Sequence, residues 1–176
     1  YIYDLETTGL FTDSCDIIER HFVDYFDNSV ISSGLIKPKE PLTEFISNLT
    51  GINDRDFVNA DKDIENFKLD IQKIFNMCET PIFIAHNGDR FDHNVLKNQK
   101  IINENNCILL DSREIINSCY NSSTYNKKLG DIYEMIIGHK KLNTHRADTD
   151  TDMIVEIFLK MNITPNKILS FVKSIK

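Results

Sequence analysis

The sequence lacks any long apolar run. No stretch of about 18 consecutive apolar residues occurs among its 176 residues, and this absence argues against a membrane-spanning helix. A secretory signal peptide is missing too, so we expect an intracellular protein of the cytoplasm or nucleus with no membrane partner. The first residue is Tyr1 rather than Met and already fits a strand, so we expect a few residues to precede it in the natural chain.

Paired cysteines are also missing. Cys15, Cys78, Cys107 and Cys119 form no C-x-x-C motif and no His/Cys spacing typical of a zinc site. This spacing argues against a zinc–thiolate centre and against a disulfide framework. It favours idle free thiols in a reducing compartment.

Positive charge is scarce, with 20 Lys and Arg against 27 Asp and Glu and a formal net charge of −7. A protein that held nucleic acid mainly through a basic surface would show the opposite balance. An enzyme whose acids bind metal ions stays compatible with this charge, because two divalent ions bring four positive charges to the place where a phosphate arrives.

Repeats, low-complexity tracts and linkers are absent, so we expect a single domain over residues 1–176. The hydrophobic content of 41% is typical of a globular domain with a sizeable core. Strands come first, then alternating helices and strands, then helices, which indicates an α/β sandwich with a mixed sheet. The predicted strands cover residues 1–6, 15–26, 29–38, 80–87 and 107–112, and the predicted helices cover 42–49, 61–78, 91–102, 128–137, 147–161 and 165–175.

Two acids stand inside the first strand, in the stretch "YIYDLETTGL". Strand side chains alternate between faces, so Asp4 and Glu6 point the same way, about 7 Å apart along the chain. Like charges on one face of a core strand repel each other and lose hydration. We therefore expect a positive group between these two carboxylates.

Two predicted helices each turn one further acid towards the core. Asp150 lies four residues before Ile154, on the apolar stripe of its helix, whereas Asp152 falls on the solvent face. Asp92 shares a stripe with Val95 in the helix that follows the strand of residues 80–87. An acid on an apolar face is costly unless it is paired or bound to metal.

Four carboxylates with oxygen-only chemistry suit Mg²⁺ or Mn²⁺. They are Asp4, Glu6, Asp92 and Asp150. His145 lies five residues before Asp150, in the loop that enters the same helix, and is placed to reach the same site.

Three segments carry a resemblance to a known family. The stretches "YDLETTGL", "AHNGDRFD" and "HRADTD" resemble the three motifs of the DEDD superfamily of 3′–5′ exonucleases, in the subgroup with a histidine. Within this subgroup, "IAHNGDRFD" and "LGDIYEMIIG" are most similar to the three-prime repair exonucleases, while "ETTGL" is shared with bacterial proofreading subunits. The residues that match the five family positions are Asp4, Glu6, Asp92, His145 and Asp150.

The resemblance implies a ribonuclease H-like, mixed five-stranded sheet flanked by helices, the DnaQ-like exonuclease fold. It also implies hydrolysis of phosphodiester bonds from a DNA 3′ end with two Mg²⁺ ions, about 3.5–4 Å apart, for which Mn²⁺ can substitute. In this arrangement Asp4 bridges the ions, Glu6 and Asp150 complete the shell of the ion that holds the attacking water, and Asp92 supports the other ion. His145 takes the proton of that water.

The rim after the first strand is expected to hold the 3′-terminal nucleotide. Gly9 lets the backbone approach closely, and Leu10 is expected to wedge against the last base. Asn87, Arg90 and Phe91 precede Asp92 and are candidates for holding the strand. Binding of a single strand relies on stacking and phosphate contacts, so we expect little sequence preference.

Several alternatives stay open from the sequence. An exoribonuclease of the same fold is one, because the metal ligands do not sense the 2′-hydroxyl. A proofreading exonuclease that acts with a polymerase is another, and a catalytically silent nucleic-acid-binding module is a third. By analogy with the repair exonucleases, the segment "SVISSGLI" is a candidate edge strand for a homodimer.

Overall fold

The computed structural model describes residues 1–120, 127–142 and 145–175. In these residues five strands form one mixed sheet in the order β3-β2-β1-β4-β5. The strand β1 pairs antiparallel with β2 and parallel with β4, β2 pairs antiparallel with β3, and β4 pairs parallel with β5. The strands are β1 (Ile2–Thr7), β2 (Ile17–Val23), β3 (Val30–Leu35), β4 (Ile82–Ala85) and β5 (Ile108–Asp111).

Helices cover both faces of this sheet, as the sequence predicted. None of the helices in the described ranges is long and apolar enough to cross a membrane. A 3₁₀ helix at Asp54–Asn59 follows the first α-helix. The α-helices are α1 (Glu44–Thr50), α2 (Glu65–Met77), α3 (Asp92–Asn98), α4 (Ser112–Cys119), α5 (Leu129–Ile137), α6 (Ala147–Lys160) and α7 (Pro165–Ile175).

The central strand β1 divides its side chains between two cores. Tyr3 and Leu5 are buried against α2 and α3 on one face. Ile2 is buried on the other face, against apolar residues of α5, α6 and α7. Because strand side chains alternate, Asp4 and Glu6 continue the row that Ile2 begins and face the side on which α6 packs.

Two predicted helices are shorter than expected, for local reasons. The helix predicted from residue 61 begins at Glu65, because Asp61 pairs its backbone with the chain after β3: its N–H donates to Leu35 (3.0 Å) and its carbonyl accepts from Lys37 (2.8 Å). The helix predicted to reach residue 102 ends at Asn98, since Lys100 takes a left-handed conformation with φ 56°.

The sequence did not predict α4 or the 3₁₀ helix. Helix α4 begins at the residue after β5, and the Asp111 side chain caps it by accepting a hydrogen bond from the backbone N–H of Arg113 at 2.9 Å. The short helix predicted at residues 42–49 is present as α1. It is capped by Thr43 at its start and ends at Gly51, whose φ of 74° favours glycine.

Strand β3 lies at the edge of the sheet, where the sequence placed a candidate dimer strand. The backbone just beyond it is already paired, through the bridge between Ile36 and Asp61. Only the first part of β3 is therefore open to a partner strand. Dimerisation through this edge stays a prediction.

Candidate metal centre

Three carboxylates converge between β1 and α6. Asp4 and Glu6 come from β1, and Asp150 comes from the first turn of α6. One ligand oxygen from each lies within 4.8 Å of those of the other two. Residues of β1 and α6, far apart in the chain, thus meet at one point, and their role as metal ligands stays a prediction.

Helix α6 aims Asp150 at this point because of its packing. Ile154 and Ile157 are fully buried on the same side of the helix and hold that side against the sheet. Asp152 is exposed, as predicted, and so is Asp148, which the sequence had placed between the core face and the solvent face. Of the three acids in this turn, only Asp150 is directed to the cluster.

Asp92 approaches the cluster from the opposite side of β1. It is the first residue of α3 and only 4% exposed. Backbone hydrogen bonds from Asp92 itself and from Leu5 lower the pKa of its carboxyl group, against the larger effect of burial. Its charge is the strongest of the charges that raise the pKa of Asp4. Asp92 lies outside the group of three but lines the same cleft as Asp4.

Burial and mutual repulsion raise the pKa values of these four acids. Burial is the main cause, followed by neighbouring carboxylates. It raises the pKa of Glu6 to about 8, that of Asp92 to about 7 and that of Asp150 to about 6. The pKa of Asp4 is raised well above its ordinary value for the same reasons.

This cluster has the chemistry of a hard-cation site. In the described part of the chain, Lys and Arg side chains form no ion pair with any of the four acids. Buried and half-buried carboxylates that have no ion-pair partner in these ranges fit Mg²⁺ or Mn²⁺, which supply positive charge and accept oxygen ligands. The donor set therefore fits the metal that the resemblance implies.

His145 lies at the mouth of the same site. It is exposed and takes a left-handed backbone conformation with φ 68°, which is uncommon outside glycine. Its backbone N–H donates to Asp150 Oδ1 at 3.3 Å. This hydrogen bond closes the turn between residues 145 and 150. The His145 residue also lines the cleft above the acids.

A cleft of about 1070 Å³ opens over the acids. Of the five residues predicted to hold substrate, Leu10, Asn87, Arg90 and Phe91 line it. Gly9, by contrast, is not one of the residues that line the cleft. Leu10 is 78% exposed, so its side chain is free to contact a ligand.

Further residues line the cleft beyond the five that were predicted to hold substrate. Phe45 and Leu49 lie one turn apart on α1 and are 67% and 38% exposed, whereas Ile46 on the same helix is buried. An apolar pair on the outer face of a short helix is the signal that marks them in the sequence. The cationic lining residues, apart from Arg90, are Arg113, Lys127, Lys128, Lys140 and Lys141.

The fold and the acid cluster together define a nuclease with a ribonuclease H-like fold. The sequence model of an exonuclease family, RNase_T, matches residues 1–158, and the chain belongs to this family. The predicted membership of the DEDD exonucleases is thereby confirmed.

Relatives of known sequence agree with this family. The chain is 29% identical over 153 residues to an "uncharacterized exonuclease" of Acanthamoeba polyphaga mimivirus, and the match covers 84% of this chain and 46% of the relative. It is 32% identical over 176 residues to the PolC-type DNA polymerase III of Mycoplasmopsis pulmonis, a match that covers 90% of this chain and 11% of the polymerase. The chain thus spans less than half the length of these relatives.

Solved structures share the fold. Escherichia coli exonuclease I superposes with a TM-score of 0.72 at 14% identity, over 98% of this chain and 42% of the enzyme, in a crystal structure with a dA16 oligonucleotide. The DnaQ-like fold predicted from the sequence is confirmed. The narrower likeness to three-prime repair exonucleases stays a prediction, since neither the viral exonuclease nor the PolC-type polymerase carries that name.

Proposed function

We propose that this domain is a 3′–5′ exonuclease that removes nucleoside 5′-monophosphates from DNA, preferably single-stranded, with two Mg²⁺ ions that Mn²⁺ can replace. The observation that carries the proposal is the convergence of Asp4, Glu6 and Asp150 within 4.8 Å. The acids alone would repel an incoming phosphate, and bound divalent cations reverse that charge.

Four side chains would hold the ions, namely Asp4, Glu6, Asp92 and Asp150. Bound divalent ions lower the pKa of water and neutralise charge on phosphate oxygens during hydrolysis. The protein contributes a rigid frame, because two of the acids lie on the central strand and the other two lie in the first turns of helices packed on opposite faces of the sheet. Such rigidity limits the reorganisation needed at the moment of reaction.

His145 is the proposed general base. Its imidazole is exposed at the mouth of the acid site, where it can accept a proton from the attacking water and release it to solvent. Imidazole is the side chain that most often serves as a general base in enzymes.

The cleft residues would hold the end of the strand. Leu10 and Phe91 offer apolar surface to the terminal base, and Arg90 offers charge to a phosphate. The Asn87 side-chain oxygen is buried without a hydrogen-bond partner among the described residues, which leaves it free to accept a hydrogen bond from a nucleotide. Gly9, next to Leu10, permits close approach of a ligand to the backbone.

The comparisons support DNA as the substrate. Exonuclease I, which shares the fold, was crystallised with single-stranded oligonucleotides. The PolC-type relatives are DNA polymerases and favour proofreading beside a polymerase as a second candidate function. RNA trimming remains the alternative that the acid cluster itself does not distinguish.

Digestion of end-labelled oligonucleotides tests the proposal. Matched single-stranded DNA and RNA carrying a 5′ label are incubated with Mg²⁺, and the products are resolved by length. We expect DNA to shorten one nucleotide at a time from the 3′ end, with chelator and Asp150→Asn both abolishing the reaction. Asp152→Asn, an exposed acid on the same helix, is the matched control and keeps full activity.

Three results would overturn parts of the proposal. Mononucleotides released from the 5′ end would reverse the polarity, and faster digestion of RNA would change the substrate. Activity that persists in Asp150→Asn or in chelator would show that the acid cluster takes no part in the reaction. Co-purification with a polymerase from the source cells would support the proofreading role.

A further inference from the structure

A fifth acid faces the same side of the sheet but belongs to no metal group. Glu19 on β2 lies directly opposite Glu6 in the antiparallel pairing and is only 5% exposed. A buried carboxylate beside an acid cluster raises the electrostatic free energy of the site unless it is compensated. The positive charge that compensates Glu19 comes from a distant part of the chain, at Arg146.

Both oxygens of Glu19 are occupied by the segment that begins α6. The Arg146 guanidinium donates through Nε to both oxygens at 3.1 and 3.0 Å, and through Nη2 to Oε1 at 2.6 Å. The backbone N–H of Ala147 donates to Oε2 at 3.0 Å. A charged, forked pair with an additional backbone bond is among the strongest arrangements that one carboxylate can make.

This carboxylate takes the place of a helix cap. Arg146 occupies the position before α6 and its own side chain caps nothing. The first N–H groups of a helix need acceptors, and Glu19 reaches across from β2 to supply one to Ala147. A negative charge at this end also suits the helix dipole.

The anchored turn carries two of the proposed functional residues. Within it, His145 donates its backbone N–H to Asp150 Oδ1 (3.3 Å), and Asp150 donates its own to Arg146 (2.9 Å). In the part of the chain that the structure describes, every hydrogen bond from residues 145–150 to the sheet ends on Glu19. Apolar packing holds the body of α6 on the sheet, and this carboxylate adds the polar contacts that fix its first turn.

We infer that Glu19 is a positioning residue, which through Arg146 and Ala147 sets where Asp150 and His145 stand relative to Asp4 and Glu6. The inference rests on the proposed function for its catalytic part, and its metal-binding part stands without it. Outer partners that orient metal ligands affect affinity by about 10–100-fold.

The chain offers a matched control on the next residue of the same strand. Arg20 is equally buried, at 5% exposure, but points to the opposite face and forms an ion pair with Asp61 at 2.7 Å. Asp61→Asn thus removes the charge of a partly buried pair between β2 and a remote segment without touching the acid site. A merely structural role predicts the same behaviour for Glu19→Gln and Asp61→Asn.

Mn²⁺ titration by calorimetry is the first readout, with thermal unfolding as a check of folding. We expect Glu19→Gln to weaken Mn²⁺ binding about 10–100-fold, and Asp61→Asn to leave it unchanged. Arg146→Ala should weaken Mn²⁺ binding as Glu19→Gln does, and the affinity of Arg146→Lys should lie between that of Arg146→Ala and that of the wild type.

If Glu19 were itself a ligand, Arg146→Ala would leave the Mn²⁺ affinity equal or higher. That result, or unchanged Mn²⁺ binding in a folded Glu19→Gln protein, overturns the inference.

Turnover of DNA is the second readout. Misplacement of catalytic groups by about 1 Å reduces rates about 100-fold, so we expect kcat of Glu19→Gln to fall 10–100-fold while KM changes little. Should Glu19→Gln fail to fold, Arg146→Ala provides the same comparison. A wild type that binds Mn²⁺ but cuts no DNA refutes the proposed function and leaves the Mn²⁺ comparison as the test of Glu19.

Discussion

The hydroxyl group of Tyr3 lies 2.6 Å from Nδ1 of His93 and joins β1 to α3 inside the core. His93 Nε2 contacts the Leu110 carbonyl at 3.2 Å; a carbonyl only accepts, so Nε2 carries the ring proton and Tyr3 donates to Nδ1. Tyr3 precedes Asp4 and His93 follows Asp92. The bond therefore fixes the two elements that carry these acids.

Tyr3→Phe should destabilise the fold by about 1–3 kcal/mol, because it leaves Nδ1 of a 1%-exposed His93 without a partner. Chemical denaturation measures this loss. The double variant Tyr3→Phe/His93→Phe removes both polar groups and should recover part of the stability. A single variant as stable as the wild type would show that the bond contributes nothing.

Gly88 is predicted to tolerate no side chain. A Cβ at this position would lie 2.5 Å from His93 Nε2 and 3.0 Å from the Ala85 side chain. Gly88→Ala should therefore reduce stability by about 1–3 kcal/mol, and thermal unfolding measures the change.

Gly9 provides the contrast, since an added Cβ there meets nothing within 4 Å. Gly9→Ala should unfold at the wild-type temperature. If the strand end approaches the backbone at Gly9, the same variant should raise KM for DNA. A marked loss of stability in Gly9→Ala, or none in Gly88→Ala, would contradict these packing arguments.

The metal-free protein should lose stability as the pH rises from 6.5 to 8. The folded-state pKa of Glu6 is about 8 and that of Asp92 about 7, both far above the values of unfolded acids. The folded state binds more protons in this window, so deprotonation weakens it. Half-buried His86, whose folded pKa is about 4, acts in the opposite direction only below its ordinary value of 6.5. The amino group of Tyr1, whose folded pKa is about 6, opposes the acids within the window, but it is one group against two.

Unfolding in chelator across this range measures the effect. Glu6→Gln removes one of the titrating groups and should flatten the slope. Millimolar Mg²⁺ should raise the melting temperature most at pH 8, because binding to the folded state replaces the protons. A metal-free protein that grows more stable between pH 6.5 and 8 would contradict the assignment.

His145→Ala should lower kcat by about 10²–10⁴-fold, the usual contribution of a general base. Mn²⁺ affinity should hold, since the contact between this residue and Asp150 is made by its backbone N–H. Steady-state kinetics and Mn²⁺ titration on one preparation separate the two properties. A near-normal kcat in His145→Ala would show that another group acts as the general base.

Local pattern was enough to predict the acid cluster. Strand alternation identified Asp4 and Glu6, and the apolar stripe through Ile154 identified Asp150, because each signal lies within a few residues. Glu19 gave no such signal, since its partner Arg146 is 127 positions away. Phe45 belongs to an apolar pair that the sequence shows on α1, but only the assembled fold shows that this face borders the cleft.

Anomalous diffraction from crystals soaked in Mn²⁺ shows directly whether these acids bind metal. We expect strong peaks in contact with the carboxylates of Asp4, Glu6 and Asp150, reduced or lost in Asp150→Asn and retained in Asp152→Asn. Well-ordered wild-type crystals with these three carboxylates in place and no anomalous peak between them would contradict this expectation.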